Sequence, residues 1–446
     1  MSQNFQTIER VVNLLNPDSN ILLNVSQAEA ESRVLSGKAQ AVREIDGQFA
    51  ILARDGKTIR MARSIARPMR YFLAKRAEGP CLIVAERIDE IRQVLIDEGL
   101  EDQFHPSYTR MVPAHHIVKL QLVGCPDPNP ALTRFFDPQP KTQPSSREEI
   151  GAAYIGALSN ELTKWLHAIP ESEPIGVLFS GGIDSGSVFL TLYDAILKLG
   201  QSPSRLKAFT LSVDGQSSDG DQAFRFLKSL KLEMFLEVFD VASENLHWQR
   251  AISAVEDYKP LDIQAATMGL TLCESIRRRY PDWKWLVDGD GGDENLKDYP
   301  IEDNPELTIR SVLNNQMLYQ EGWGVDAIKH SLVFSGGQSR GHVRSSAPPA
   351  LCGFSGFSPY ALPNVIEIAE GIPFIELTDW DHEKLYRLKG EIVGEGVKAV
   401  TGLEMPIYEK CRFQHGAIEK EKFSKLFPAD ETEYRKEFDR QFTLTT

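Results

Sequence analysis

A regular alternation of apolar strands and helices runs through the middle of the chain and restricts its fold more than any other feature. Strands are predicted at residues 175–179, 208–213, 234–239 and 283–287, with helices at 185–197, 221–230 and 243–255. Strands that are apolar throughout and alternate with helices are typical of a parallel sheet covered on both faces. Ligands of such sheets bind beyond the carboxyl ends of the strands. We therefore expect the functional site at that edge.

The first of these strands runs directly into a loop of small residues at a helix start. Glycines let the backbone approach an anion closely, and the helix N-terminus favours negative charge. An aspartate there would repel phosphate by itself, so we expect it to hold a Mg²⁺ that bridges the phosphates. The alternative is a plain glycine turn. The loop predicts a phosphate site formed by Ser180, Gly181, Gly182, Asp184 and Ser185.

A second loop follows the strand at 283–287 and holds three glycines among four acidic residues, Asp288, Gly289, Asp290, Gly291, Gly292, Asp293 and Glu294. Alone it would indicate a solvated acidic turn or an adventitious calcium loop. Because both loops follow strands of one predicted sheet, we expect Asp184 and Asp293 to hold Mg²⁺ against a pyrophosphate group from two sides.

The two loops, in this order and about a hundred residues apart, resemble the synthetase domain of the asparagine synthetase B group, which includes the β-lactam and carbapenam synthetases. The first loop also resembles that of the ATP pyrophosphatase superfamily, which cleaves between the α- and β-phosphates. The resemblance implies an α/β fold: a parallel-sheet ATP pyrophosphatase domain (adenine nucleotide alpha hydrolase-like) at residues 141–446, using ATP and Mg²⁺. Asp290 stands where lactam-forming members carry Tyr, which favours the asparagine-synthetase-like branch.

The same resemblance implies further roles. The strand end at Leu211, Ser212 and Val213 would offer backbone groups to adenine, and Gly289 would line the nucleotide site. Lys410 would neutralise charge on the adenylate or on the tetrahedral intermediate, as suits a point charge. Asp290 would orient or deprotonate the nucleophile. The alternatives are plain sheet core for the strand residues and a surface lysine beside a turn for Lys410.

A proline-rich joint at residues 136–146 separates this part from an N-terminal domain, residues 1–140. The joint ends at a helix start, where Ser146 and Glu149 form a capping box. Before it, strands are predicted at 48–53, 58–62, 71–74 and 81–85. Residues 46–51 (Asp-Gly-Gln-Phe-Ala-Ile) and 62–72 resemble the glutaminase half of asparagine synthetases, which implies a β-rich sandwich of the N-terminal-nucleophile type.

That domain lacks the nucleophile of the family. Ser2 stands where a Cys follows the initiator Met in the glutaminases. A serine hydroxyl is a much weaker nucleophile than a thiol near neutral pH. We therefore expect no glutamine hydrolysis and a structural role for residues 1–140.

Composition excludes several other classes. The net charge of −14 disfavours general nucleic-acid binding. The five cysteines include no C-x-x-C pair, so zinc and redox motifs are unsupported. No segment approaches the ~20 apolar residues of a membrane span, and no basic segment leads into an apolar run at the N-terminus. We expect a cytoplasmic protein; a homo-oligomer is left open.

The function expected is an AMP- and pyrophosphate-forming amide ligase acting on small-molecule or peptide carboxylates and amines. One alternative is an enzyme that adenylates tRNA bases for thiolation. The other is a non-catalytic nucleotide-binding scaffold, which is favoured by the departures from the family pattern at Ser355 and Leu362. Asp184 and Asp293 favour the enzyme.

Overall fold

A computed structural model describes residues 9–123, 130–215, 218–299, 301, 308–321, 346–408 and 420–443. The chain divides into two compact units. The first comprises Met1–Asp137, Lys329–Ser339 and Lys436–Thr446, and the second Pro138–Ile328 and Arg340–Arg435. Within the described ranges, no helix is both long and apolar enough to cross a membrane.

The first unit is built mainly of strands. Its strands are β1 (Arg10–Asn13), β2 (Ile21–Leu22), β3 (Gly47–Gln48), β4 (Ala50–Asp55), β5 (Thr58–Arg63), β6 (Arg70–Arg76), β7 (Gly79–Ala85), β8 (Arg110–Met111), β9 (His116–Gln121) and β10 (Ala131–Arg134). Its helices include α1 (Gln27–Ser36), α2 (Ala39–Arg43) and α3 (Ile88–Asp97).

Two four-stranded sheets, in the orders β1-β7-β6-β8 and β10-β9-β5-β4, form the frame of this unit. Alternate residues of both sheets share one apolar core, because every second side chain of a strand points to the same face. Ile59 and Met61 of β5 meet Leu82 and Val84 of β7 there. The strands predicted before the joint are all present, each within a few residues of its expected bounds.

The second unit contains a five-stranded sheet in the order β13-β12-β11-β14-β15. All neighbouring pairs in it are parallel, which confirms the expected parallel α/β sheet. The strands are β11 (Ile175–Leu178), β12 (Leu206–Val213), β13 (Leu236–Val241), β14 (Trp285–Val287) and β15 (Ser355–Phe357).

Helices surround this sheet. They are α4 (Arg147–Ala168), α5 (Ile183–Lys198), α6 (Ser218–Ser229), α7 (Trp248–Val255), α8 (Pro260–Arg279), α9 (Gly292–Asn295), α10 (Ile309–Asn314), α11 (Leu318–Glu321), α12 (Ala347–Leu351), α13 (Pro363–Glu370), α14 (Phe374–Thr378), α15 (His382–Thr401) and α16 (Lys420–Leu426). The last helix is α17 (Glu431–Phe442), whose residues from Lys436 onward are assigned to the first unit. The Ser146 half of the predicted capping box is present, because its hydroxyl accepts from the amide of Glu149 at 3.3 Å. That hydroxyl donates to the carboxylate of Glu148, at 2.9 Å.

Two predicted elements start later than expected. β13 begins at Leu236 because residues 233–235 form a 3₁₀ turn, and α7 begins at Trp248 because residues 243–245 form another. The edge strand β15 was not expected, since its three residues carry too short a pattern to be recognised. It pairs with β14 and completes the sheet beside the acidic loop.

Candidate active site

The sheet brings the two glycine-containing loops to one edge. β11 lies between β12 and β14, with Val177 paired to Ala208 on one side and to Val287 on the other. Because the strands are parallel, the loops that follow β11 and β14 leave at the same edge. The first loop leads into α5 and the second into α9.

The first loop is held in shape by its own serines. The amide of Ser180 donates to the hydroxyl of Ser185 at 3.2 Å, and the amide of Gly182 donates to the hydroxyl of Ser180 at 3.3 Å. The first amides of a helix have no acceptor within it, so the start of α5 presents donors to an anion. The serines thus preorganise the loop besides offering hydroxyls.

Gly181 is required for a reason that the sequence did not reveal. Its φ of 71° lies in the left-handed region, and a Cβ there would be 2.7 Å from the backbone of Ala223 in α6. The glycine therefore allows close packing of α6 against the loop, in addition to any approach by a phosphate group.

The second loop packs directly on the first turn of α5. A Cβ on Gly289 would lie 2.7 Å from the amide nitrogen of Ser185, and one on Gly292 would lie 2.2 Å from Oδ1 of Asp184. These two glycines bring the acidic loop against Asp184. The predicted phosphate loop and the predicted metal loop therefore form one site.

A buried lysine of α15 joins the two aspartates. The ammonium of Lys389 lies 2.6 Å from Oδ2 of Asp184, bonds to Oδ1 of Asp293, and lies 3.3 Å from Oδ2 of Asp298. Its side chain is 2% exposed, whereas those of Asp184 and Asp293 are each 21% exposed. Three carboxylates, one from the start of α5 and two from α9 and the turn that follows it, thus converge on one cation.

Lys389 stays charged in this setting. Burial of its ammonium lowers the pKa, but the negative charges of Asp184, Asp293 and Asp298 outweigh burial and hold the pKa well above its ordinary value. Its positive charge offsets part of the negative charge of the three aspartates, and a Mg²⁺ ion would offset more, so that phosphate oxygens could approach the helix N-terminus.

Lys389 was not predicted from the sequence, although its position in the chain carries a signal. The residue lies on the apolar face of α15, between Leu385 and Leu388 on one side and Ile392 and Val393 on the other, all of which are buried. A charged side chain at a core position is buried only when it is paired. The partners, however, lie 205 and 96 positions away in sequence.

Two stacked tyrosines lie beside the first turns of α5, and one of them bonds to it. The hydroxyl of Tyr360 lies 2.7 Å from that of Ser187, and its ring stacks on Tyr154 at a centroid distance of 5.4 Å. Burial raises the pKa of both phenols, and for Tyr360 the charge of Asp184 raises it further. Both remain protonated, so they are packing and hydrogen-bonding groups, not bases.

The end of β12, which is the segment proposed to contact adenine, is buried. Leu211, Ser212 and Val213 are between 1% and 6% exposed. The ladder between β11 and β12 ends at Phe209, so these three residues extend beyond β11 toward the ligand edge. The hydroxyl of Ser212 donates to Asp240 at 2.8 Å, which anchors the strand end to β13.

Asp290 lies on the acidic loop and is partly buried. Its amide donates to the carboxylate of Asp288 at 3.0 Å, and Asp288 also accepts from the hydroxyl of Ser358 at 2.9 Å. Asp288 therefore shapes the loop, and the Oδ2 atom of Asp290 beside it is shielded from solvent.

Lys410 and Ser2 lie outside the described residues. The segment that leads toward Lys410 does reach this site: a Cβ on Gly390, the residue after Lys389, would be 3.3 Å from Ile407 and 3.8 Å from Ile183. The next residue, Tyr408, lies under the guanidinium of Arg225 at 5.5 Å.

The residues present fit a magnesium ion that arrives with phosphates. Asp184 and Asp293 supply carboxylate oxygens, the ligand type that Mg²⁺ prefers. Within the described ranges, no group of three or more His, Cys, Asp or Glu side chains has the spacing of a metal site. Mg²⁺ commonly takes one or two carboxylates and completes its shell with phosphates and water.

A glycine loop at a helix N-terminus, a buried cation and paired aspartates at the carboxyl edge of a parallel sheet define the second unit as a nucleotide-binding α/β domain. Residues 168–335 match the family model described as asparagine synthase, which supports an asparagine synthetase-like family. That family implies ATP-dependent amide-ligase chemistry. A search among curated proteins returned no match.

Proposed function

We propose that this protein is an ATP-dependent amide ligase that forms AMP and pyrophosphate, activating a carboxylate as its acyl-adenylate. The observation that carries this proposal is the convergence of Asp184, Asp293 and Lys389 at the mouth of α5. Fixed charges of both signs beside a row of backbone donors match a magnesium-bound polyphosphate.

In this proposal, Ser180, Gly181, Gly182 and Ser185 hold the pyrophosphate portion of ATP, and Lys389 contacts its oxygens. Leu211, Ser212 and Val213 receive the adenine through backbone groups, and Gly289 lines the site between them. Asp184 and Asp293 would hold Mg²⁺, which neutralises charge on the departing pyrophosphate.

The need for ATP follows from the chemistry of the acid. A carboxylate does not react with an amine at neutral pH, because its leaving oxide is too basic. Attack of the carboxylate oxygen on the α-phosphorus releases pyrophosphate and makes AMP the leaving group. Lys389 compensates the negative charge that accumulates on the bridging and terminal oxygens of pyrophosphate.

An amine then attacks the acyl-adenylate and AMP departs. Asp290, on the rim of the acidic loop, would orient the amine or accept its proton. Lys410 would neutralise charge on the adenylate or on the tetrahedral intermediate. We further propose that the nitrogen comes from ammonia, from an amine substrate, or from an amine of the same molecule, without glutamine hydrolysis by the first unit.

The first unit is therefore proposed to be a structural, degenerate glutaminase-like domain. The substrates are proposed to be small molecules or peptides of a cytoplasmic biosynthetic reaction. The net charge of −14 gives a nucleic-acid substrate little general attraction.

Pyrophosphate release from ATP in the presence of Mg²⁺ and a panel of carboxylic acids tests the proposal. Release that requires a small acid supports the ligase. Release that requires tRNA would indicate an enzyme that adenylates tRNA bases for thiolation. The absence of release with either would indicate a non-catalytic nucleotide-binding scaffold. Asp293→Asn should abolish release. Asp282→Asn, an equal charge change at an exposed position, serves as the control.

A further inference from the structure

The ammonium of Lys389 occupies the place between the two carboxylates that are proposed to bind magnesium. It bonds Oδ2 of Asp184 and Oδ1 of Asp293 at once. The cation is therefore a resident counter-ion of the proposed metal site. This inference rests on the proposed function and concerns how the site takes up its metal.

Lys389 and a metal ion compete for the same oxygens. Mg²⁺ bonds carboxylate oxygens at about 2.1 Å, whereas the ammonium is already 2.6 Å from the Asp184 oxygen. Two cations on one carboxylate oxygen would be only about 4 Å apart and would repel each other strongly in a partly buried site. The ammonium must move before a metal binds through Oδ2 of Asp184 and Oδ1 of Asp293.

The lysine has somewhere to move when nucleotide arrives. Its four-carbon stem is flexible, and the open donors at the start of α5 mark the position of the phosphates. A phosphate group would provide a new negative partner for Lys389 when its ammonium leaves a carboxylate. Without nucleotide, an ammonium that left Asp184 and Asp293 would be a buried charge without a partner, which costs free energy.

We propose that Lys389 reserves the Asp184–Asp293 site for metal that arrives with a nucleotide. Before nucleotide binds, the ammonium would hold both aspartates. Binding of the metal–nucleotide complex transfers at least one carboxylate from Lys389 to the metal and moves the ammonium onto the phosphates. Free divalent metal is excluded until then.

Mn²⁺ binding measured by electron paramagnetic resonance tests this directly. The protein is titrated with Mn²⁺ alone and with Mn²⁺ plus α,β-methylene-ATP, which resists cleavage at the scissile bond. Wild-type protein should bind Mn²⁺ at least about tenfold more weakly alone than with the analogue. Lys389→Met should bind Mn²⁺ without nucleotide, at least about tenfold more tightly than wild type does.

Lys398→Met is the matched control, because Lys398 is an exposed lysine of the same helix, paired with Glu404; it should behave as wild type. The double variant Lys389→Met, Asp293→Asn should lose the nucleotide-independent Mn²⁺. Circular dichroism establishes that each variant is folded. Should Lys389→Met not fold, Lys389→Gln is titrated in its place.

Equal Mn²⁺ affinity of wild type with and without the analogue would overturn the inference, as would equal affinities of wild type and folded Lys389→Met for Mn²⁺ alone. The ligase proposal fails separately, through the absence of acid-dependent pyrophosphate release. Nucleotide-dependent Mn²⁺ binding without such release would agree with this inference and would contradict the ligase proposal.

Discussion

Gly151 of α4 and Gly396 of α15 lie in backbone contact where the two helices cross. A Cβ on Gly396 would be 2.3 Å from the carbonyl oxygen of Gly151, and one on Gly151 would be 2.5 Å from the carbonyl oxygen of Ile392. Lys389 lies two turns earlier on the same buried face of α15. This crossing therefore sets how deeply Lys389 reaches toward the aspartates.

Gly396→Ala should lower the free energy of unfolding by about 1–3 kcal/mol, because the added methyl meets backbone that has no room to yield. Acid-dependent pyrophosphate release should fall as well, since α15 must shift and carry Lys389 with it. Urea unfolding followed by tryptophan fluorescence, together with the release assay, measures both effects.

Gly156→Ala is the control for that substitution. Gly156 lies in α4, and a Cβ there meets no atom within 4 Å. Alanine at this helical position should raise the stability by about 0.5–1 kcal/mol and leave activity unchanged. A Gly396→Ala protein as stable and active as Gly156→Ala would contradict the role assigned to the crossing.

Gly292→Ala should impair catalysis more than stability. Its methyl would meet the carboxylate of Asp184, a side chain held by Lys389, and would displace it by an ångström or so. A misplacement of that size costs about 10²-fold in rate. The rate of pyrophosphate release should fall by that order while the urea midpoint changes little. A variant with the wild-type rate would show that the position of Asp184 is not critical.

The sheet of the second unit was predictable because each of its central strands is mainly apolar and is followed by a helix or loop of clear composition. β11, β12 and β14 lie within a few residues of their predicted bounds. The short edge strand β15 carries no such pattern. Its conformation is set by pairing with β14 and does not follow from its own composition.

The candidate site was predictable only in the residues that local sequence marks. Asp184 and Asp293 stand out because they follow glycines at strand ends, and the structure brings both to one ammonium. Lys389 and Asp298 have no local mark, since their importance arises from contacts made across the fold. Gly181 was recognised, but its packing against Ala223 depends on α6 and was not visible in sequence.

Asp219→Asn should stabilise the protein at neutral and higher pH. Asp219 is 3% exposed, and its Oδ2 has no hydrogen-bond partner within the described ranges. Burial raises its pKa from 3.8 to about 7. The folded protein thus favours the neutral acid, and the associated stability is present below about pH 4 and is lost as the pH rises to about 7.

An asparagine avoids that loss because it never ionises. The stability of Asp219→Asn relative to wild type should therefore grow between pH 5 and pH 8, reaching at most about 4 kcal/mol. Urea unfolding at pH 5, 6.5 and 8 measures the difference. Asp282→Asn, at an exposed position, should stay within about 0.5 kcal/mol of wild type throughout. A constant difference for Asp219→Asn would show that its carboxyl does not titrate in this range.

Lys410→Ala should separate the two halves of the proposed reaction. If Lys410 stabilises the tetrahedral intermediate, its removal affects amide formation most, because the charge it compensates develops when the amine attacks. We expect amide formation to fall by about 10²–10³-fold, while acid-dependent exchange of labelled pyrophosphate into ATP falls far less. Lys425→Ala, at an exposed position of α16, should change neither. An equal loss of exchange and amide formation would instead assign Lys410 to the adenylation step, the step in which Lys389 is also proposed to act.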